Sequence, residues 1–527
     1  MPRDFQLPGR SPVIATEGMA ATSHPLATLA AIDVLRGGGN AVDAAVTAVA
    51  VLCVIEPHMT GIGGDCFALI AEEAKPVWGY NGCGRSGAAA STEALLEKGL
   101  RTIEIASPHA VNVPGAIEAW DAILKARGTI PLDRALQPAI RYAEGGFPVA
   151  ARVAADWTLQ IAKLGNSAGA TRHYLFDGKA PAEGDVVKLP ALAATLKAIA
   201  RDGPRAFYQG PIARDMVATL QARGSVLTEA DFAGHRGEAQ TPISTGYRGV
   251  DLVELPPNGQ GLTALVMLNI LEHFDLPALE PLGPERFHLM LEAARMAFAV
   301  RDTHIAEPSF MRVGVAALND KAFAKKLAAR IDRGKRVPLP AAPTPGGDTV
   351  YLTVVDRDRR AVSLINSLFS SFGCGICTES SGIMFNNRGC GFVLDPAHPN
   401  ALGPGKRPMH TIIPALAMRD GRCDTAFGVM GAHFQPMGHV QMALNLFDYG
   451  MDVQSAIDAP RAFFDGEATV VERGMPQATL DGLKARGHRL VTAPSPWGGA
   501  QAIRIDRRRG VLIAGSEPRK DGCALGY

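Results

Sequence analysis

The chain has 527 residues, 47% of them apolar and 20% charged, with a formal net charge of +1. Such a composition describes a globular enzyme with a large core and excludes a disordered tail; length alone suggests about three or four domains. The near-zero charge, with lysines and arginines scattered, argues against nucleic-acid binding, and the densest basic run, Arg507-Arg508-Arg509, reads as a solvated turn.

The first residues, MPRDFQLPGRSPVIATEG, contain no continuous apolar core of a leader, which predicts no secretory signal and a cytoplasmic location. No run of about eighteen apolar residues predicts a membrane span. Eight unevenly spaced cysteines then read as reduced thiols, and the lone CxxC pair, Cys374 and Cys377, is a weak metal or redox signal. Residues 13–16 read as a strand, 24–35 as a helix ended by Gly37-Gly38-Gly39-Asn40, and 43–54 as an apolar helix ended by Glu56-Pro57. The glycine-rich loop 59–65 precedes a strand at 66–71. Its glycines suit close backbone packing, or the approach of a ligand.

A strand at 77–80, the string Gly82-Cys83-Gly84-Arg85-Ser86-Gly87 and a helix at 92–98 match a dinucleotide-binding GxGxxG. Against it, the helix starts near Ser91, too late to present its N-terminus to a pyrophosphate. Helical spacing continues at 115–125, 132–144, 149–164, 189–199 and 206–222, with turns at glycines 128, 145–146, 203 and 210. Thr228 reads as a helix N-cap, 250–255 as a strand, and 256–261 as a turn. Helices follow at 262–274, 286–300 and 321–330. His288, Glu292 and Arg295 on the second of these read as a surface or packing network rather than a metal site.

A proline-rich linker, 337–346, leads into Gly347-Asp348-Thr349-Val350-Tyr351. Beyond it the grammar changes to strands at 349–355, 361–365, 382–385, 469–472, 501–505 and 511–514, with helices near 434–447 and 453–458. Strands at both ends with helices between predict stacked sheets covered by helices. Thr349 stands where a flexible peptide meets a strand. There its hydroxyl could attack the Asp348 carbonyl, and water could release a new N-terminus. The freed α-amine, with a pKa near neutrality, could then serve as base for the same hydroxyl.

At this point the sequence resembles the γ-glutamyltranspeptidase family of N-terminal-nucleophile hydrolases. The matching runs include Ser23-His24-Pro25-Leu26-Ala27, Gly38-Gly39-Asn40-Ala41-Val42-Asp43, Gly61-Ile62-Gly63-Gly64, Val113-Pro114-Gly115, Phe207-Tyr208-Gln209-Gly210, Gly405-Lys406-Arg407-Pro408 and Ala459-Pro460-Arg461. They span nearly the whole chain. The resemblance implies an α/β fold, a four-layer αββα sandwich, and an inactive precursor that cuts itself between Asp348 and Thr349. It implies a large piece, 1–348, and a small piece, 349–527, that stay together as a heterodimer sharing one domain. It further implies Ser367 as the hydroxyl beside the nucleophile, and the backbone N–H groups of Gly431 and Ala432 as the oxyanion hole. No metal or organic cofactor is implied.

The chain departs from glutathione-cleaving members where they hold the substrate's α-amino group: the aligned positions are Phe369, Arg388 and Gly391. Asn81 replaces the arginine for the α-carboxylate, and His410 and Thr411 replace a pair of serines. An ammonium beside Arg388 would meet like charge. The pocket therefore reads as one for an anion, clamped by Arg388 with Arg85 or His410, and with Asn386 and Asn387 orienting the amide. The strings around Asn81, Pro256-Pro257-Asn258-Gly259-Gln260-Gly261, Thr349, Asn387-Arg388-Gly389 and His410-Thr411 resemble the branch of oxamate amidohydrolase and of glutathione-hydrolase-like and cephalosporin-acylase-like proteins. The expected function is a self-processing amidohydrolase for a small carboxylate-bearing amide, oxamate first. The rivals are γ-glutamyl transfer or glutathione hydrolysis on the same machinery, an unprocessed binding scaffold, and the nicotinamide-dependent reading of the GxGxxG string. The expected partners are the small-molecule substrate and the two pieces of the precursor, with a higher oligomer of that heterodimer open.

Overall fold

The computed structural model describes residue 6 and residues 9–338 and 348–527. Most of the proline-rich linker, including the Gly347 side of the expected cleavage site, lies outside the described residues. Two antiparallel seven-stranded sheets organise the chain. One runs, in spatial order, Cys523–Gly526, Met19–Thr22, Asp348–Val355, Ala361–Phe369, Asp65–Ala71, Trp78–Gly82 and Glu238–Gln240. The other runs Val13–Ala15, Val511–Ser516, Gly499–Asp506, Arg422–Met430, Ala415–Arg419, Val250–Glu254 and Ile243–Tyr247. Each sheet contains strands from both sides of Thr349.

The sheets face each other through Tyr351. A Cβ on Gly428 of the second sheet would lie 2.3 Å from the Tyr351 ring, so only glycine leaves room for it. The Tyr351 hydroxyl bonds the Ser363 hydroxyl at 2.8 Å, and Ser363 Oγ accepts from the Ala415 amide of the opposite sheet at 3.0 Å. A buried polar pair is thereby satisfied across the sandwich.

Helices Pro25–Arg36 and Ala41–Ile55 pack on the side of the sheet that carries Thr349. Helices Gly261–Leu271 and Gln435–Ala443 pack on the other sheet's side. Ala41–Ile55, apolar except for Asp43 and Thr47, is wholly buried, as a helix without a polar face must be. It opens with a capping box. Asn40 Oδ1 accepts from the Val42 and Asp43 amides at 2.8 and 3.1 Å, and the Asn40 amide donates to Asp43 Oδ2 at 2.8 Å. The helix expected over 149–164 is two, Ala151–Thr158 and Ile161–Leu164, because the chain turns at Leu159, which is exposed while Trp157 is buried. The strand expected at 382–385 is an isolated bridge between Cys377 and Met384; Gly382, at φ +68°, breaks extension there. Among the described residues no helix is long and apolar enough to cross a membrane.

Candidate active site

Thr349 enters the site because of a register fault. Asp348 pairs with Phe369 and Val350 with Asn366, so Thr349 alone faces two residues, Ser367 and Leu368. A bulge of this kind re-aims side chains. It brings the Thr349 and Ser367 hydroxyls to 3.0 Å, both fully buried. Ser367 Oγ also accepts from the Phe369 amide at 2.8 Å. That bond helps hold Phe369 at φ +85°, a conformation costing an L-residue about 1–2 kcal/mol.

The Arg422–Met430 strand ends in the turn Gly431-Ala432, with φ +121° and +47°. Gly431 must be glycine: besides its φ, a Cβ would sit 2.9 Å from Gly498 Cα. The Phe434 amide donates to the Gly431 carbonyl at 2.9 Å. This fixes the Gly431–Ala432 peptide, so that the Ala432 N–H points opposite to that bond. The Ala432 carbonyl accepts from Gln260 Nε2 at 2.8 Å.

Phe369 also walls a cleft of about 240 Å³ lined by Arg301, Ile305, Arg388, Phe392, Thr411 and His433, among others. Arg388 is 1% exposed. Its Nη1 donates to Thr411 Oγ1 at 2.7 Å, its guanidinium lies 4.6 Å over the Phe369 ring, and its Nε and Nη2 have no hydrogen-bond partner. Burial lowers its pKa to about 10, with the Asp65 carboxylate 3.9 Å away opposing the shift, so it remains a cation at neutral pH. Buried N–H groups without acceptors are costly, and an anion in the cleft would satisfy them. Asp302, the carboxylate lining this cleft, is 2.7 Å from Arg301 and already paired with it.

Of the expected substrate residues, Arg388 and Thr411 line the cleft; Asn81, Arg85, Asn386 and His410 do not. Asn81 donates to Asn258 Oδ1 at 2.9 Å and accepts from the Cys83 amide at 2.9 Å. Arg85 pairs with Glu307 and donates to the Gly405 carbonyl at 3.0 Å. Asn386 spends both its amide hydrogens on the Gly63 and Asn112 carbonyls, each at 2.9 Å, and accepts from the Asn112 and Arg388 amides. His410 donates from Nε2 to Asp65 Oδ2 at 3.0 Å and accepts on Nδ1 from the Ile412 amide at 3.2 Å. Burial, followed by the Arg388 cation, lowers its pKa to about 3, so it is neutral at physiological pH. Of these four, Asn386 bonds the Arg388 amide and His410 bonds the Asp65 carboxylate that stands beside Arg388. Asn387 bonds Ser370 through both ends of its amide and so braces the same segment.

Two residues to which the sequence reading gave no role are central. Asp65 accepts from the Gly84 and Gly115 amides at 3.0 and 3.2 Å and from His410, and stands behind Arg388. An acid opening an apolar strand was its signal. Gln260 joins the Ala432 turn to the Thr411 turn, donating to the Thr411 carbonyl at 2.7 Å. Among the described residues, Asp65–Cys83–His410 and His288–Glu292–His488 cluster closely enough to hold a metal ion. In the second cluster His288 bonds His488 at 2.8 Å and the Asp332 carbonyl at 2.7 Å, while Glu292 takes Arg295 and the Val337 amide. Hydrogen bonds therefore engage these ligand atoms, as a packing network requires.

The GxGxxG loop does a different job from cradling phosphate. Its preceding strand is antiparallel to its neighbours, and the next helix begins at Thr92, capped by Ser91. A Cβ on Gly84 would meet the Val113 carbonyl at 1.6 Å, so the glycine admits backbone, not a nucleotide. In the 59–65 loop, a Cβ on Gly64 would meet the Ser367 carbonyl at 2.2 Å, again a packing role. Cys374 and Cys377 are buried free thiols.

Comparison with known proteins follows the same outline. The Gamma-glutamyltranspeptidase family model matches residues 27–527. The chain is 39% identical to the "Glutathione hydrolase-like YwrD proenzyme" of Bacillus subtilis, covering 98% of this chain and 99% of that protein. It is 34% identical to the "Oxamate amidohydrolase proenzyme" of Klebsiella pneumoniae subsp. pneumoniae, covering 98% and 99%. The crystal structure of cephalosporin acylase from Bacillus halodurans superimposes with a TM-score of 0.93 at 38% identity, covering 100% of this chain and 99% of that one.

Proposed function

The chain belongs to the γ-glutamyltranspeptidase family, as a hydrolase of carbon–nitrogen amide bonds, and from that premise we propose a self-processing enzyme whose substrate is a small amide bearing a carboxylate. In this reading the fold is the family's four-layer αββα sandwich, and Thr349 Oγ attacks the Asp348 carbonyl to give an ester that water opens. Residues 1–348 and 349–527 then remain associated through sheets that draw strands from both.

In the mature enzyme the Thr349 α-amine takes the hydroxyl proton as Oγ attacks the substrate carbonyl. Ser367, 3.0 Å away, orients that oxygen. The N–H groups of Gly431 and Ala432 receive the oxyanion, which two backbone donors can stabilise by a few kcal/mol. The proton passes to the leaving nitrogen, ammonia or an amine departs, and water hydrolyses the acyl-threonine ester. Arg388 and Thr411 hold the carboxylate.

The observation that carries the substrate class is the buried Arg388 cation, whose Nε and Nη2 lack hydrogen-bond partners, lining a cleft whose own carboxylate, Asp302, is already paired. Oxamate, an amide with an adjacent carboxylate and no ammonium, fits that charge pattern. γ-Glutamyl hydrolysis or transfer is the second reading, favoured by the 39% identity to the glutathione-hydrolase-like relative. Purified protein incubated with oxamate and, separately, with a chromogenic γ-glutamyl anilide decides the order. Ammonia from oxamate is the expected result; anilide release without ammonia from oxamate would reverse it.

A further inference from the structure

We infer that Gln260 is a positioning residue for the oxyanion turn, with Arg301 setting the orientation of its amide. The inference rests on the reading of Gly431 and Ala432 as oxyanion donors. Gln260 is fully buried at the entrance of the Gly261–Leu271 helix. Its Nε2 donates to two carbonyls, Thr411 at 2.7 Å and Ala432 at 2.8 Å, and its backbone amide donates to the His410 carbonyl at 2.9 Å. Its Oε1 accepts from Arg301 Nη1 at 2.7 Å. A carboxamide can rotate by half a turn and exchange its two ends. Here that rotation would aim an oxygen at two carbonyls and an amide at a guanidinium, so Arg301 locks the productive orientation. Arg301 is itself held by Asp302 at 2.8 Å and by His433 Nδ1 at 3.0 Å.

The need for such a lock follows from the backbone. Ala432 holds φ +47°, a region that L-residues avoid. Turning the Gly431–Ala432 peptide over would carry Ala432 to an ordinary negative φ and reverse the N–H that the oxyanion requires. Two bonds oppose this. The Phe434 amide fixes the peptide before Ala432, and Gln260 fixes the peptide after it. Only the second involves a side chain. Through the Thr411 carbonyl, the same amide ties the turn to the segment whose hydroxyl meets Arg388, so the oxyanion donors and the anion clamp keep a common spacing.

The test uses Gln260→Glu, which keeps the shape and removes the donor, and Arg301→Lys, which keeps a charge and removes the planar fork. The probe is whichever of oxamate and the γ-glutamyl anilide the wild type turns over, with rates expressed per mole of cleaved chain. We expect kcat of Gln260→Glu to fall about a hundredfold, the scale of losing an oxyanion donor, with KM within threefold because Arg388 is untouched. Arg301→Lys should fall about tenfold in kcat. If Gln260→Glu accumulates uncut, Arg301→Lys carries the kcat comparison. A kcat per cleaved chain within twofold of wild type, or a loss confined to KM, overturns the inference, since a merely structural role would lower only the melting temperature or yield. Thr349→Ala keeps the two readings apart. If it still self-cleaves, the threonine reading fails; if it stays uncut while Gln260→Glu retains wild-type kcat, only the Gln260 inference fails.

Discussion

Replacing Arg388 by glutamine would keep a donor for Thr411 Oγ1 and remove the charge facing the cleft. A hydrogen bond to a charged group contributes about 1.5–3 kcal/mol, so kcat/KM for oxamate should fall about 10- to 100-fold, mainly through KM. Steady-state kinetics checks this, and an unchanged KM would take Arg388 out of substrate binding. His235 offers a separate residue-scale test. It is 3% exposed, neither ring nitrogen has a hydrogen-bond partner, and burial lowers its pKa to about 4. Between about pH 6.5 and 4 the unfolded chain binds a proton there that the folded chain does not, so this histidine costs stability as pH falls, at about 1.4 kcal/mol per pH unit. Relative to His235→Phe, the wild type should therefore lose ground across that window and run parallel to it above pH 7, as denaturant unfolding at several pH values would reveal. The placement of two expected site residues was legible from the sequence. Thr349 stood at a loop-to-strand junction, and Arg388 put a cation where an acceptor was expected. Asn81, Asn386 and His410 were legible as site neighbours, yet not as residues whose polar groups are consumed by other parts of the chain, because their partners Asn258, Gly63 and Asp65 lie far away in the sequence.

At the scale of elements, the contact of the two sheets rests on a glycine and a ring. Gly428→Ala would drive a methyl into Tyr351 and should destabilise the protein by about 1–3 kcal/mol or more, the usual range for overpacking. Tyr351→Leu in the same chain should recover part of that loss. Thermal melts of the single and double variants check the coupling, and equal, additive losses would deny that the two residues meet. The largely apolar stretch 43–54 announced its buried helix, and 501–505 and 511–514 were legible as two strands. The Arg422–Met430 strand, in the middle of its sheet, was not legible. RCDTAFGVM mixes charge, glycine and apolar residues, and its strand state comes from antiparallel partners on both sides, Ala415–Arg419 and Gly499–Asp506. The bulge opposite Thr349 was equally invisible, since register is a property of two strands and the sequence displays each alone.

For the whole molecule, strand order makes a prediction about the cut chain. Asp348–Val355 lies between Met19–Thr22 and Ala361–Phe369, and Ala361–Phe369 in turn pairs with Asp65–Ala71. Cleavage before Thr349 breaks one peptide bond and leaves those ladders in place. The two pieces should co-elute in native size exclusion and separate only in denaturant; early separation without denaturant would contradict the shared core. Intact mass and N-terminal sequencing of the purified protein test the central claim most directly, with wild type and Thr349→Ala run side by side. The account predicts that the wild type yields two chains, the smaller beginning Thr-Val-Tyr-Leu, and that the variant remains one chain of full mass. A wild type that remains whole, a new terminus at any other residue, or a Thr349→Ala chain cut at the same bond would contradict it.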